Sequence, residues 1–384
     1  MKKLILLSLL LVTSNAYAVT AIEKWVDTDC SFNGNGTQGA CSGSDGGTGP
    51  YKTLQQALTG ESAARSDLVS RDESLTIMLQ GATADTNAPV SFTPALFNTD
   101  AAHQVRMKGA ETATGRHPGY WSTNHYRLSA AACSLGGVLV ITENNVLVDD
   151  FQIENTGTSD AGCNNGIGLS LANGVYSNVY ANGMFIRGNP AGNPQTTSYG
   201  IYMTYLQGGR VVYIANNITT GVSNAGIFIG CGGSNDQITV YNNTSYGNAY
   251  GLRFWEGTLC GSGGSAFHMK NNLFQGNSSA GYNRPATGGT HAVWDFAANV
   301  TSDSSSPDGA AYRNLTAQFV NAAGLDFHLR RDDTAAINKC ISLAADATYQ
   351  FVRDMDYTNR VSSWDCGADE QPEISKLPTK RAHP

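Results

Sequence analysis

Three side chains that could carry acid–base chemistry lie in the second half of the chain. His268 and Lys270 are separated by one residue, and Asp295 occupies the place equivalent to His268 in the next sequence repeat, described below. Lys270 is the only lysine between residues 111 and 325. A lysine beside a histidine and an aspartate could be a base held by orienting partners. The alternative is a solvated ion pair on a sheet surface, which contributes under about 1 kcal/mol.

A second group combines aromatic rings with an arginine and a glutamate: Tyr202, Phe228, Arg253, Trp255 and Glu256. Aromatic faces in a row suit sugar rings, and an arginine can clamp a carboxylate. We therefore expect substrate binding by the rings and by Glu256, with Arg253 assisting catalysis as a positive group. The alternative is that the long stretches 189–198 and 257–265 cover this surface, in which case the rings are ordinary packing.

Two adjacent carboxylates, Asp149 and Asp150, form a candidate metal site. They could hold Ca²⁺ if a neighbouring repeat supplied a third oxygen ligand. The alternative is that Asp150 occupies a turn and hydrogen-bonds to the backbone. Ca²⁺ is thus the only candidate cofactor, because the sequence contains no nucleophile elbow, phosphate loop or zinc motif.

The chain has eight cysteines, an even number that favours disulfides in an exported protein. Pairing each cysteine with the next one along closes four short loops: Cys30 with Cys41, Cys133 with Cys163, Cys231 with Cys260, and Cys340 with Cys366. Eight cysteines allow 105 connectivities, so the order alone leaves the others open.

A local pattern that must position these groups recurs from about residue 145 to 300. Alternating apolar residues are followed by a polar pair that usually contains Asn, in six copies: Val146–Asp150, Val179–Gly183, Val212–Asn217, Ile238–Asn243, Phe267–Asn272 and Trp294–Asn299. Between the copies lies a second short strand that begins at Gly: Gly166–Leu171, Gly200–Tyr205, Gly226–Gly230 and Gly251–Glu256. Each period therefore contains at least two strands and no helix.

Such a small unit cannot bury its own apolar face, but stacked copies can share one core, as in solenoids. A coil of a parallel β-helix supplies the long connection that parallel strands need. At the same corner of every coil, Asn can hydrogen-bond to the Asn above and below and tolerates a left-handed backbone. The pattern predicts an all-β fold in which stacked coils form a parallel β-helix.

Three regions of the sequence resemble secreted right-handed parallel β-helix repeat proteins of the pectate-lyase-like superfamily, which implies a right-handed parallel β-helix with a short N-terminal capping helix. The first is Trp25–Asp27 with Gly49–Leu58, which looks like an initial strand and a helix that caps the core. The repeats are the second. The third is similar to the closing segment of choice-of-anchor proteins, and comprises Phe319–Val320, Asp326–Leu329, Ala335–Ile337, Asp354, Arg360 and Trp364–Glu370.

The resemblance implies an activity as well as a fold. Lyases of this family act on acidic polysaccharide, with a positive group to neutralise the uronate and usually a Lys or Arg base to take the C5 proton. An anchoring signal often follows the closing segment in these proteins, whereas Leu377–Lys380 is not a complete sorting motif. We therefore expect a secreted or periplasmic protein without a covalent anchor.

Composition and net charge limit the kinds of partner that the protein can bind. Only 14% of the residues are charged, against about a quarter in an average soluble domain, and 43 are Gly, which favours β structure with tight turns. Residues 1–18 look like a bacterial-type signal peptide, with Lys2, Lys3 and an Ala16-Tyr17-Ala18 cleavage site. Its removal would leave 22 basic and 31 acidic residues, a net charge of −9 that argues against nucleic acid. We expect no membrane span, and the sequence does not specify an oligomeric state.

The predicted organisation is a signal peptide (1–18), an N-terminal cap with the first coils (19–110), further coils (111–325), a closing segment (326–373) and a tail (374–384). The leading functional hypothesis is interaction with extracellular polysaccharide, with a polysaccharide lyase as the reaction if the protein is an enzyme. The alternative is a non-catalytic, adhesin-like surface or matrix protein that binds glycan or has a structural role.

Overall fold

Residues 19–41, 44–93, 96–130, 136–157, 165–169, 178–188, 198–203, 209, 211–230, 235–255, 265–284, 293–361 and 363–372 are described by the computed structural model of the protein. The predicted signal peptide and the tail from residue 374 lie outside these ranges, as do Glu256 and four of the eight cysteines.

The alternating segments with the polar pair form one parallel sheet, which we call the first sheet. All six predicted copies are strands of it, in chain order. Its nine strands are β1 (Thr20–Asp27), β2 (Glu73–Gln80), β4 (Val105–Gly109), β7 (Val146–Asp149), β10 (Asn178–Asn182), β13 (Val211–Ala215), β16 (Gln237–Tyr241), β19 (Ala266–Lys270) and β22 (Val293–Ala297).

The residues that follow each polar pair form a second parallel sheet, which the sequence pattern did not reveal. Its seven strands are short: β5 (Arg127–Ala130), β8 (Gln152–Asn155), β11 (Phe185–Arg187), β14 (Ile218–Thr220), β17 (Thr244–Tyr246), β20 (Leu273–Gln275) and β23 (Val300–Thr301).

The strands that begin near Gly form the third sheet, as predicted. Its seven parallel strands are β3 (Val90–Phe92), β6 (Leu139–Ile141), β9 (Asn165–Leu169), β12 (Tyr199–Met203), β15 (Ala225–Ile229), β18 (Tyr250–Phe254) and β21 (Ala280–Asn283). From β4 onwards the chain passes through the first, second and third sheets in turn and then repeats. The predicted parallel β-helix is therefore confirmed.

A helix caps the N-terminal end of the core, as the sequence predicted. Helix α1 (Leu54–Arg65) begins after Thr53, whose side chain accepts a hydrogen bond from the Gln56 amide. Leu54, Ala57 and Leu58 are fully buried against the end of the coils. Each fully buried leucine contributes about 1.5–3 kcal/mol. A second, one-turn helix, α2 (Leu68–Arg71), follows.

Asn was predicted to adopt a left-handed backbone and to form a hydrogen-bonded ladder at the corner between the first and second sheets. Two consecutive residues share these roles. The first residue has a left-handed backbone, with φ of 55° at Asn216 and 52° at Asn242. The second forms a buried ladder, in which the amide of Asn243 donates to Asn272 at 3.0 Å. Asp150 lies at the first of these positions, with φ of 64°, so it occupies the corner that the sequence offered as an alternative to a metal site.

The last part of the chain folds back along these corners. Strands β24 (Phe319–Asn321) and β25 (Asp326–Leu329) pair antiparallel, and single 3₁₀ turns form at Ala310–Tyr312 and Ala322–Gly324. Residues 330–361 and 363–372, here called the C-terminal segment, then cross the corners. The side chains of Asn216, Asn242 and Asn271 donate to carbonyls of this segment, and a second apolar cluster fills the space beneath it.

Two of the four predicted disulfides are confirmed, Cys30–Cys41 and Cys340–Cys366. The other four predicted partners, Cys133, Cys163, Cys231 and Cys260, lie outside the described residues. Among the described residues, neither helix has the length and apolar character needed to cross a bilayer.

Candidate functional site

The register of the first sheet brings three of the predicted catalytic residues together. His268 on β19 lies opposite Asp295 on β22, and Lys270 projects from the same face of β19. One oxygen of Asp295, Oδ2, lies 3.0 Å from His268 Nδ1 and 2.6 Å from Lys270 Nζ. The three side chains therefore form one ion-pair cluster across adjacent coils.

A fourth member of this cluster, Asp346, comes from the C-terminal segment. Lys270 Nζ donates to Asp346 Oδ2 at 2.9 Å, and the Tyr241 hydroxyl donates to Asp346 Oδ1 at 3.2 Å. No repeat or motif contains Asp346, so no sequence pattern predicts its place here. Lys270 is consequently held between two carboxylates, one from the coils and one from the segment that covers them.

The neighbouring carboxylates determine the protonation state of Lys270. Burial acts to lower the pKa of its ammonium, but the hydrogen bonds and charges of Asp295 and Asp346 outweigh burial and raise the pKa above its usual range. The same contacts hold the pKa of the Asp295 carboxyl below its usual range, although burial opposes them. Lys270 is therefore protonated at neutral pH and fastens the C-terminal segment, which weakens the argument for it as a base.

Aromatic rings also attach the C-terminal segment to the first sheet. The ring of Tyr349 lies 4.7 Å from that of Tyr213 and 6.1 Å from that of Tyr180, while Tyr180 and Tyr213 stack at 4.5 Å. Tyr349 therefore packs on β10 and β13, while Asp346, three residues earlier, reaches Lys270 on β19.

The pair of predicted metal ligands lies at a corner near the N-terminal coils. Asp149 Oδ2 accepts from Arg106 Nε at 2.6 Å, and Asp150 accepts from the Tyr357 hydroxyl. Burial, with a further contribution from the charge of Asp149, raises the pKa of Asp150 to about 7. An arginine and a phenol thus occupy carboxylate oxygens that the predicted Ca²⁺ site would use, and the Ca²⁺ assignment stays a prediction.

A cluster that the sequence did not indicate forms around His328. Its Nδ1 lies 2.5 Å from Asp326 Oδ1, its Nε2 lies 2.6 Å from Asp356 Oδ2, and Asp369 lies beside them. Burial acts to lower the pKa of His328, but Asp356 above all outweighs it and raises the pKa to about 10. In its doubly protonated form the imidazole donates from both ring nitrogens, so it forms ion pairs with the carboxylates on either side.

The outer face of the third sheet carries the predicted aromatic row. Tyr202, Phe228 and Arg253 are direct neighbours on β12, β15 and β18. The rings of Tyr202 and Phe228 stack at 5.2 Å, and Tyr199, which the sequence analysis did not include, stacks on Tyr202 at 4.9 Å. Trp255 meets the edge of Phe228 at 6.1 Å and is 44% exposed.

Arg253 extends this row and does not join the Lys270 cluster. Its guanidinium lies 4.8 Å from the centre of the Tyr250 ring and donates to Asn224 Oδ1 at 3.1 Å. Because β18 belongs to the third sheet and β19 to the first, Arg253 and Lys270 lie on different faces of the helix. The four predicted catalytic residues are thus divided between two surfaces, and Glu256 lies outside the described residues.

No protein-family model matches the chain, and a search of the curated proteins finds no match. The parallel β-helix is established by the structure itself, and the functional interpretation rests on the geometry of these two surfaces.

Proposed function

We propose that the protein binds carbohydrate through the outer face of the third sheet. The observation that carries the proposal is a continuous row of rings, formed by Tyr199, Tyr202 and Phe228, that ends in the exposed Trp255 and has Arg253 beside it.

The chemistry of this row suits a glycan. Tyr and Trp rings combine a large apolar face with a polar group at the rim, which matches the C–H faces and hydroxyl edges of a sugar. Phe228 is only 3% exposed and supports the row by packing against Tyr202 and Trp255. The partly exposed Tyr199 and Tyr202 and the exposed Trp255 therefore offer the contacts to an extended chain. The guanidinium of Arg253 adds a positive charge beside the row, which favours an acidic glycan.

An extracellular location agrees with this function. Two disulfides are typical of proteins that fold in an oxidising compartment. With the resemblance of residues 1–18 to a signal peptide, they support export to the periplasm or the medium. Membership of the pectate-lyase-like superfamily, and a choice-of-anchor closing segment, are likewise proposed from the sequence resemblance.

Titrating the protein with pectate, alginate and neutral glucan, and comparing Trp255→Ala with the wild type, tests the binding surface. We expect an acidic glycan to bind and Trp255→Ala to weaken it about tenfold or more, because aromatic anchors dominate such interfaces. Tyr120→Ala is the matched control, since Tyr120 is 41% exposed but lies outside the row. Equal affinity of the wild type and Trp255→Ala would contradict the proposal.

The same incubations, followed at 235 nm for unsaturated product, test the lyase alternative. A lyase that uses Lys270 as its base would lose at least about 100-fold in turnover in Lys270→Ala while still binding glycan. The ion pairs of Lys270 favour binding without catalysis, for which we expect no unsaturated product from any of the acidic glycans.

A further inference from the structure

A cavity of about 440 Å³ lies where the C-terminal segment meets the stretch between β4 and β5. One wall contains Glu111, Arg116 and His125, and the other contains Arg353 and Tyr357. Its volume is in the range of small-molecule sites. It lies beside the corner between the first and second sheets, because the Tyr357 hydroxyl donates to Asp150 at that corner.

Two of the three charged side chains that line this cavity, Arg116 and Arg353, are cationic. The guanidinium carbon of Arg116 lies 4.1 Å from the centre of the Tyr357 ring, that of Arg353 lies 5.6 Å away, and Lys108 Nζ lies 5.5 Å away. Glu111, the one acidic residue in the described lining, is 2.9 Å from Lys108 Nζ. In a chain with a net charge of −7, two guanidinium groups thus lie at one cavity.

Arg116 retains hydrogen-bonding capacity. Its Nη2 donates to the Met355 carbonyl, but its Nε is buried and meets no acceptor among the described residues. A buried donor without an acceptor costs about 1–3 kcal/mol, so a ligand oxygen at this place would be stabilising. Asp356 does not neutralise Arg116 fully, since its Oδ1 is 3.9 Å from Arg116 while its Oδ2 is 2.6 Å from His328.

His117 and Tyr357 are uncharged parts of the lining. His117 Nε2 lies 2.6 Å from the Gly183 carbonyl and its Nδ1 accepts from the Gly119 amide, which is the pattern of a neutral ring. Burial lowers the pKa of His117 to about 4, so it adds no charge at neutral pH. Tyr357 has a φ of 65°, a strained backbone for an aromatic residue, and this conformation holds its ring between the arginines.

We propose that this cavity is a second ligand site, in which Arg116 and Arg353 bind an oxyanion, either a carboxylate or a sulfate group, against the Tyr357 ring. Guanidinium groups bind both kinds of oxyanion through paired N–H donors. The anion has two sources, an acidic sugar or a free inorganic ion. The site lies away from the aromatic row and does not depend on glycan binding there.

Calorimetric titration of the full chain at constant ionic strength tests this site, with sodium glucuronate, sodium sulfate and glucose as probes. We expect both anions to bind and glucose not to bind. Glucuronate binding tighter than sulfate would identify the acidic sugar as the source, and similar affinities would identify the oxyanion alone; both results support the site. Absence of binding by both anions would overturn it.

Two arginine variants distinguish anion binding in the cavity from non-specific attraction of anions to surface arginines. Arg353→Gln should weaken anion binding about tenfold, because it removes a charged donor from the wall. Arg330→Gln removes the same charge from an exposed arginine that pairs with Asp332, and should leave binding unchanged. Equal loss in both variants, or no loss in Arg353→Gln, would overturn the proposal. Arg353 is exposed, so we expect its variant to fold normally, which circular dichroism checks.

Discussion

His328 shows how strongly neighbouring carboxylates can raise the pKa of a histidine. Asp326 and Asp356 bind its two ring nitrogens, and Asp369 is buried beside them. Burial alone would favour a neutral ring, yet the surrounding negative charge raises the pKa of His328 to about 10. The imidazolium joins β25 to the C-terminal segment, so its charge contributes to the attachment of that segment.

This raised pKa predicts a pH-dependent contribution to stability. The folded state binds the proton more tightly than the unfolded state, so the stabilisation is complete below the unfolded pKa of about 6.5 and is lost as the pH rises through about 10. His328→Gln should lower the free energy of unfolding by about 1–3 kcal/mol at pH 7, and by less at pH 10. Urea unfolding of both proteins at the two pH values measures this difference.

His125→Gln provides the control for that measurement. Burial lowers the pKa of His125, so its contribution should not change between pH 7 and pH 10. A His328→Gln effect that stays constant over the same range would show that the ring is neutral in the folded protein.

The residues of the Lys270 cluster differ in how far the sequence could predict them. His268, Lys270 and Asp295 were placed together because the Asn corners fix the register of β19 and β22. Asp346 and Tyr349 were not found, because they reach the same face from the C-terminal segment, which has no repeat to define its register. The contact with Asp346 bears on the chemical interpretation, since the Lys270 ammonium is then paired with two carboxylates.

At the scale of the elements, the inward Asn ladder links four successive coils. Side-chain amides run from Asn217 to Asn243, Asn272 and Asn299, at 2.9, 3.0 and 2.8 Å, and Asp308 accepts from the last amide. The same side-chain oxygens accept backbone N–H groups, as Asn243 does from Asn217. The ladder therefore satisfies buried polar backbone that the corner would otherwise leave unpaired.

Replacing Asn243 by Leu should therefore destabilise the fold. We expect a loss of about 1–3 kcal/mol in the free energy of unfolding, because buried amides above and below lose their partners. Asn277 lies in a half-buried position at another corner, where its Oδ1 accepts from the Asn248 amide, so Asn277→Leu should cost less. Exposed Asn359→Leu should change stability by no more than about 0.5 kcal/mol. Thermal and urea unfolding would contradict this order if all three variants were alike.

The three sheets were unequally predictable for a physical reason. Strands of the first and third sheets such as β13 and β18 have five residues, long enough for alternation to appear. Strands of the second sheet have as few as two residues, as in β23, and are fully buried in several coils. A period of two residues cannot be read from two or three positions, so the third strand of each coil was missed.

At the scale of the whole molecule, the C-terminal segment forms a second layer on the β-helix, organised around Arg360. The Arg360 side chain is fully buried and pairs with Glu370 at 3.1 Å. It also donates to Asn216 Oδ1 at 3.1 Å and to the carbonyls of Gly367 and Ala368. One guanidinium thus joins the segment to itself and to a corner of the coils.

The sequence indicated the closing residues but not their positions. Arg360 and Trp364–Glu370 were identified through the family resemblance, and Cys340–Cys366 through the order of the cysteines. Their docking on the corners depends on contacts between residues far apart in the chain, such as Asn242 with Gly367, which local patterns do not encode. The surface left accessible for function was therefore the least predictable feature.

Removing the Arg360 charge should detach the C-terminal segment while the coils remain folded. Arg360→Met leaves Glu370 buried without its partner, for which we expect a loss of about 3–5 kcal/mol in the stability of the docked segment. Hydrogen exchange followed by mass spectrometry should show faster exchange at amides such as those of Cys366 and Gly367, which donate to Ala336 and Asn271. Amides within β13 and β16 should remain protected, because their partners lie in neighbouring coils.

Arg360→Lys keeps the charge but not the planar fork, and should show an intermediate effect. If Arg360→Met leaves Cys366 and Gly367 protected, the segment is held by the apolar cluster and Cys340–Cys366 without Arg360; if β13 and β16 exchange as fast as the segment, the two layers unfold as one unit.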